Sequence, residues 1–333
     1  MSEKIENPFE NKELKTIIIF GVSSFVGSNL AEFFKNEYNV IGTYHKNPIQ
    51  IPGVLTIPCD VLAKDEVQLP LFAFKPDFAI YCAGVSSINE SHERVDLADA
   101  LNTSGLFNVA EYCQRYRTKL CYVSSGFIFA GEKKNYFEMD TPDAITTYGK
   151  SLAAAEFYIQ KTSLNYLIFR CCRLYGRNAN WSRPTWFEKI QERSGAGKTS
   201  SLETNVHTGY LDVFYLAMIM KMTFDKMATN RLFQITSRDV VSMYDFGRLY
   251  ANTFSVSKEL FIRTRYPFPV MATASLAPVE DELFFKMDTN NIEGYLNIEL
   301  PTVQESLEYT FSRFNGKKEI TQSNNQGDGI KFI

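Results

Sequence analysis

The chain has 333 residues, 45% of them hydrophobic and 22% charged, the make-up of a soluble globular protein long enough for one large domain and a smaller lobe. A formal charge of −3, with no Lys/Arg-rich run, provides no basic field for nucleic acid or an anionic membrane surface. No apolar run nears the roughly 20 residues needed to cross a bilayer, and three histidines without ligand spacing argue against a metal site.

The first residues, Met1-Ser2-Glu3-Lys4-Ile5-Glu6, are charged and contain no apolar signal core, so a cytoplasmic location is expected. Beyond them, Thr16-Ile17-Ile18-Ile19-Phe20 is a β-branched run that reads as a strand buried on both faces. It breaks at Gly21, and a helical pattern follows from Phe25 to about Lys35. Further strands are expected at Asn39–Tyr44, Val54–Ile57 and Phe78–Cys82. A long helical stretch from about Glu90 to Tyr116 leads to a strand at Leu120–Val123. A helix over about Thr147–Gln160 then precedes a strand at Tyr166–Arg170. Alternation of this kind predicts parallel pairing, right-handed crossovers and a doubly wound α/β sheet of the Rossmann type.

After Arg170 the period weakens, and residues 177–207 read as a lobe with long loops. Asp212–Lys226 and Ser242–Phe254 read as helices, with a strand at Leu232–Ile235 between them. The expected organisation is a dinucleotide-binding domain over 1–176 and a mainly substrate-binding α/β lobe over 177–315. Segments of about 208–236 return to the first domain, and 316–333 form a flexible polar tail. The six cysteines form no CxxC pair and read as small core hydrophobes. For the adjacent Cys171-Cys172, opposite sides of one strand is a simpler reading than a redox pair.

Gly21-Val22-Ser23-Ser24-Phe25-Val26-Gly27 lies between the first strand and the first helix, where a dinucleotide pyrophosphate would meet free N–H groups. The middle glycine of the usual Gly-x-x-Gly-x-x-Gly pattern is Ser24, a small residue whose hydroxyl can face phosphate. After the second strand the chain reads Thr43-Tyr44-His45-Lys46, with no acid to hold a ribose 2′-hydroxyl. That points to NADP, with NAD as the alternative: His45 or Lys46 would meet the 2′-phosphate, unless Lys46 is only a solvated loop charge.

From Thr16 to about Gly176 the chain resembles the extended short-chain dehydrogenase/reductases, the family of NAD-dependent epimerases and dehydratases. Within that family it is most similar to the dTDP-4-dehydrorhamnose reductase branch. The resemblance lies in Ile19-Phe20-Gly21 to Gly27, Cys59-Asp60-Val61, Lys75-Pro76-Asp77, Tyr81-Cys82-Ala83-Gly84 and Leu101-Asn102. It continues in Tyr122 to Gly131, Tyr148-Gly149-Lys150-Ser151 and Leu174-Tyr175-Gly176, and in outline at Ile298-Glu299-Leu300-Pro301. It implies that Gly21, Ser24, Phe25, Val26 and Gly27 line the pyrophosphate, and that Asp60 and Val61 flank the adenine. Cys82, Ala83, Gly84 and Cys171 would lie along the cofactor, and Asn102 would order the active-site helix. Ser125 would bind the substrate oxygen and Tyr148 would exchange its proton. A nucleotide-linked keto sugar would lie between the lobes, against Ser86, Gly126 and Phe127. The polar cluster of Arg177, Asn178, Asn180 and Arg183 reads either as a further substrate contact or as a solvated loop.

Two departures bear on activity. The family lysine four residues after the tyrosine is Leu152 here, and an Arg-Pro pair near the substrate is replaced by Ala277-Pro278. A tyrosine with a reference pKa near 10 needs a cation on its helix face to act as a base. Lys150, rotated by about 200°, points elsewhere, so a rescuing cation would have to come from another segment, such as Arg173 or Arg177. A neutral tyrosine already serves as a proton donor, which favours reduction over an epimerase or dehydratase cycle that begins by oxidising the sugar. Three readings follow: an NADP-dependent reductase of a 4-keto nucleotide sugar, a degenerate regulatory or scaffold subunit of the same fold, and an enzyme on another nucleotide-linked substrate with a rebuilt proton relay. The family often dimerises through the helix that holds Tyr148. Ala153, Ala154 and Ala155 suit a homodimer, and helix propensity explains them equally well.

Overall fold

Seven parallel strands carry the molecule: β1 (Thr16–Phe20), β2 (Asn39–Tyr44), β3 (Leu55–Pro58), β4 (Phe78–Tyr81), β5 (Lys119–Ser125), β6 (Tyr166–Cys171) and β7 (Arg231–Ile235). They lie in the order β3-β2-β1-β4-β5-β6-β7, and every neighbouring pair is parallel. The strand order reverses between β1 and β4, which opens a crevice at the carboxyl ends of those strands. This computed structural model describes residues 14–132, 134–179, 183–268, 281–315 and 331–332.

Ile17, Ile18, Ile19 and Phe20 of β1 are all fully buried, as a strand covered by helices on both faces requires. Helices α1 (Phe25–Phe34), α2 (Lys64–Phe74), α3 (Leu106–Tyr116) and α4 (Thr147–Thr162) belong to this part of the chain. The apolar period does not reveal α2, because its face is mixed and Pro70 lies inside it. Proline removes the N–H that would satisfy the Glu66 carbonyl, and the Cys59 thiol donates to that oxygen instead, at 3.3 Å. The long helix read over Glu90–Tyr116 is in fact broken. It resolves into Ile88–Glu93, Val95–Asp99, a π-helical turn at Ala100–Gly105, and α3.

Residues 177–207, expected as long loops, hold helix α5 (Trp186–Gly195) and two short strands, Ser200–Glu203 and Val206–Thr208. Thr185 and Glu188 form a capping box at the start of α5, so a local signal fixes the helix even in a polar stretch. Helix α6 (Val213–Asp225) packs its Phe214 and Phe224 against Phe33 and Phe34 of α1, tying the later chain back to the sheet. Helices α7 (Met243–Phe254) and α8 (Val303–Phe314) enclose a second core around Tyr175, Phe187, Tyr210, Phe246 and Tyr250. A third, small cluster of Val206, Phe268, Leu283 and Phe285 receives Ile88, Phe127 and Ile145, and forms an apolar seam between lobe and sheet.

Two buried ion pairs lock these layers. Arg170 on β6 donates from Nε and Nη2 to Glu156 on α4 at 3.0 and 2.8 Å, with both side chains almost fully buried. Asp212 accepts from Arg313 at 2.6 Å and from Thr310 at 2.7 Å, which holds α8 against the start of α6. All six cysteines are free, Cys171 and Cys172 included. Most of the tail expected to be flexible lies outside the described residues, and Lys331–Phe332 pairs antiparallel with Ile298–Glu299. No described helix is long and apolar enough to cross a membrane.

Candidate active site

Gly21 ends β1 with φ +87°, and a Cβ there would come within 2.6 Å of the Ala83 nitrogen on the loop after β4. The two loops that flank the reversal of strand order thus touch, and only a glycine allows it. Gly27 is closed in from the other side, where a Cβ would meet the Gly21 carbonyl. Ser24 is the N-cap of α1, its hydroxyl accepting from the Gly27 N–H at 3.0 Å. The serine in the glycine position therefore meets one N–H of the first turn and leaves those of Phe25 and Val26 for a ligand at the helix start. Cys82 and Ala83 are half-buried and Gly84 and Ser86 exposed along its floor. This narrow cradle of glycines at a helix start, beside an open floor, fits a dinucleotide.

At the far end of β2, His45 and Lys46 are exposed and no acid follows the strand. The nearest carboxylate is Asp60 from the end of β3, 3.7 Å from His45 Nε2, with its other oxygen accepting from the Leu62 N–H. Val61 is buried beside Gly105 of the π-turn.

Ser125 closes β5 and Tyr148 opens α4. Gly149 brings them together, since a Cβ there would run into the Phe127 carbonyl and push the helix off the Gly126–Ile128 turn. Thr146 caps α4 by accepting from the Gly149 N–H at 3.0 Å. Burial pushes the Tyr148 phenol up to about 12, the Ser125 hydroxyl pulls it the other way, and the neighbouring Cys171 pushes the same way as burial. No basic side chain among the described residues acts on it. Leu152, one turn along, is buried in the main core, and Lys150 is exposed. The two arginines that could have stood in for a lysine are engaged elsewhere. Arg173 donates to Tyr210, and Arg177 stacks 3.8 Å above the Phe314 ring.

Asn102 joins the crevice floor to the tyrosine helix. Its Oδ1 accepts from the Val85 N–H at 2.9 Å, and its Nδ2 donates to the Val85 carbonyl and, at 3.0 Å, to Ser151 Oγ. Ser151 in turn donates to the Tyr148 carbonyl at 2.8 Å. Gly84, with φ +145°, leaves room for the Asn102 amide. The part played by Ser151 was not foreseen, because its partner lies 49 residues away.

The expected substrate contacts are divided. Ser86 faces the crevice, while Gly126 is buried against Met287 and Phe127 packs edge-on to Phe285 in the seam. Asn178 is buried, its amide donating to the Arg183 carbonyl and its oxygen accepting from Ser28. Arg183 reaches Asn47 at 2.6 Å, beside Lys46, at the end of the crevice remote from Tyr148. Arg177 is exposed, and Asn180 and Ala277-Pro278 lie outside the described residues.

The RmlD substrate binding domain family matches residues 15–315. Over 303 residues the chain is 22% identical to the probable low-salt glycan biosynthesis reductase of Haloferax volcanii, a match covering 89% of this chain and 98% of that protein. Over 233 residues it is 25% identical to the dTDP-4-dehydrorhamnose reductase of Aggregatibacter actinomycetemcomitans, covering 69% and 76%. A shorter match of 182 residues, 24% identical and 53% of each chain, is with methionine adenosyltransferase 2 subunit beta of Bos taurus. In three dimensions, dTDP-4-dehydrorhamnose reductase from Bacillus anthracis, solved in complex with NADP, aligns with a TM-score of 0.75 at 19% identity, over 90% of this chain and 99% of that one. That likeness carries the fold.

Proposed function

The chain belongs to the RmlD substrate binding domain family, and we propose that it is a reductase of a nucleotide-linked 4-keto sugar, using NADP with NAD as the alternative. The observation that carries this reading is that the close approach of α4 to the Gly126–Ile128 turn brings Tyr148 to Ser125 at the crevice end of the sheet, where burial raises the phenol to about 12 and keeps it a proton donor. When bound along the floor beside Cys82, Ala83 and Gly84, a reduced nicotinamide would supply the hydride. Ser125 holds the carbonyl oxygen, and Tyr148 gives that oxygen its proton as the charge develops. A base-first oxidation would require a phenolate that this site disfavours. The N–H groups of Phe25 and Val26 at the start of α1 would hold the pyrophosphate, with Gly21 and Gly27 leaving room for its close approach. Exposed Lys46, with no acid after β2, suits a 2′-phosphate. The test is consumption of NADPH with a panel of nucleotide-linked 4-keto sugars. Wild type should turn over at least one. Tyr148→Phe should lose about 10²–10⁴-fold in kcat while keeping its NADPH affinity. Undiminished turnover by that variant would remove Tyr148 from the chemistry.

A second reading is favoured by Leu152: a core leucine where the family has lysine suits a regulatory or scaffold subunit that keeps the fold and has left redox chemistry. A similarity to a protein named as a subunit of another enzyme points the same way. NADPH binding without oxidation by any sugar of the panel would select it.

A further inference from the structure

The strand Arg173–Tyr175 leaves the sheet two residues beyond Cys171, which pairs in register with Ser125, so Arg173 stands at the same edge as the catalytic pair but on the lobe side. Its side chain is about one-fifth exposed. Nη1 alone makes its hydrogen bonds, to the Tyr210 hydroxyl at 3.0 Å, to Glu203 Oε1 at 3.4 Å and to Met243 Sδ at 3.9 Å, while the group lies over the Tyr210 ring. A guanidinium carries five N–H donors, and among the described residues Nε and Nη2 have no partner.

Glu203 does not use up the charge. Its Oε1 also accepts from the Met243 N–H at 3.3 Å, and its Oε2 accepts from the Val206 N–H at 3.0 Å. The carboxylate is thus mainly a clamp on backbone, and the arginine contact is its longest. Tyr266, whose phenol feels the charges of both Arg173 and Glu203, donates to Asn89 on the sheet side. One end of the guanidinium is therefore pinned by a fully buried tyrosine, while Nε and Nη2, on a side chain that is partly exposed, have no partner among the described residues. A fixed, half-satisfied fork of this kind is preorganised to receive an oxyanion.

We propose that Arg173 is an anion receptor of the substrate cleft, taking a phosphate or carboxylate oxygen of the bound substrate through its free Nε/Nη2 edge while Tyr210 and Glu203 hold its orientation. The identity of the ligand as a nucleotide-linked sugar rests on the reductase reading, whereas the receptor itself does not. Nothing in the linear sequence marks it, because Glu203 and Tyr210 are 30 and 37 residues away.

The test titrates UDP, dTDP, glucuronate and the uncharged nucleosides uridine and thymidine calorimetrically into the full chain with NADPH present, for wild type, Arg173→Lys and Arg173→Met. Binding of an anion to wild type that weakens severalfold in Arg173→Lys and tenfold or more in Arg173→Met, with nucleoside binding unchanged, is the expected result. A nucleotide response names phosphate as the partner, and a glucuronate response names carboxylate. Equal anion affinity in all three proteins, or none in wild type, overturns the receptor. Should Arg173→Met lose its cooperative thermal transition, Arg173→Lys decides, since it keeps the charge and loses only the fork. Arg173-dependent binding without sugar turnover would sink the reductase reading and leave the receptor standing. Turnover with kcat/KM unchanged in Arg173→Lys and Arg173→Met would do the reverse.

Discussion

At the scale of single residues, the pair Tyr148 and Leu152 sets the direction of the chemistry. Burial holds the phenol neutral, and the leucine one turn away adds apolar surface where a cation would have stabilised the phenolate. Reduction needs the neutral phenol, which is the dominant form at every pH below about 12. Its rate should therefore show no alkaline loss due to Tyr148 between neutrality and pH about 10. The reverse oxidation needs the phenolate and should climb about tenfold per pH unit through that range. An oxidation profile that levels off near neutrality would show that a cation outside the described groups serves the site. Leu152→Lys should move the rise to lower pH by placing a charge on the tyrosine's face. Because Leu152 is a core side chain, the same change should cost about 2–4 kcal/mol of stability, read from denaturant unfolding.

At the scale of elements, the site depends on a helix that is not one helix. The π-turn Ala100–Gly105 interrupts the run into α3 and turns Asn102 inward, where its amide serves both backbone groups of Val85 and the Ser151 hydroxyl. Extra-residue turns of this kind often mark functional positions. Asn102→Ala would leave the Val85 N–H and carbonyl buried without a partner, at a cost of about 1–3 kcal/mol. It should lower kcat more than it raises the NADPH dissociation constant, since the link it cuts runs to the Tyr148 backbone. A variant as stable and as active as wild type would show that the link positions nothing. The buried pair Glu156 and Arg170 fixes α4 on β6 in the same manner, two turns beyond the tyrosine. Glu156→Ala, which strands the arginine charge, should cost about 3–5 kcal/mol in denaturant unfolding.

At the scale of the whole molecule, the crevice is a product of two assemblies, the reversed strand order at β1 and β4 and the aromatic seam that sets the lobe against Phe127. The interior is rich in tyrosine and thiol groups whose ionisation burial opposes. Cys59, Cys82 and Cys172 are each pushed up to about 12, and so is Tyr148. In the unfolded chain these groups lose protons near 9 and 10. Raised folded values mean that their contribution is complete below about pH 9 and is lost as pH rises from there towards 12. The thermal midpoint should thus hold up to about pH 9 and fall steeply above it, and a midpoint insensitive to alkali would contradict the burial of these groups.

The chain by itself determined the alternating strands, the glycine cradle and the residues expected to carry a proton, because these are local: β-branched runs, a strand–turn–helix junction and a short motif are read within a few positions. It also showed that a lysine is missing after Tyr148. Only the tertiary structure decided what that absence means, since Leu152 is placed in the core and Arg173 and Arg177 are engaged elsewhere by residues distant in sequence. The same holds for Asn102, whose partners lie 17 and 49 positions away, and for α2, whose proline is tolerated because Cys59 meets the freed carbonyl. Asn178 and Arg183 illustrate the limit from the other side. As letters they form a polar cluster, and folding bonds the Asn178 amide to the Arg183 carbonyl but adds partners distant in sequence, Ser28 for the one and Asn47 for the other. Periodicity and turn chemistry act over neighbouring residues, whereas charge pairing, desolvation and hydrogen-bond satisfaction depend on which distant groups the fold brings within about 3 Å.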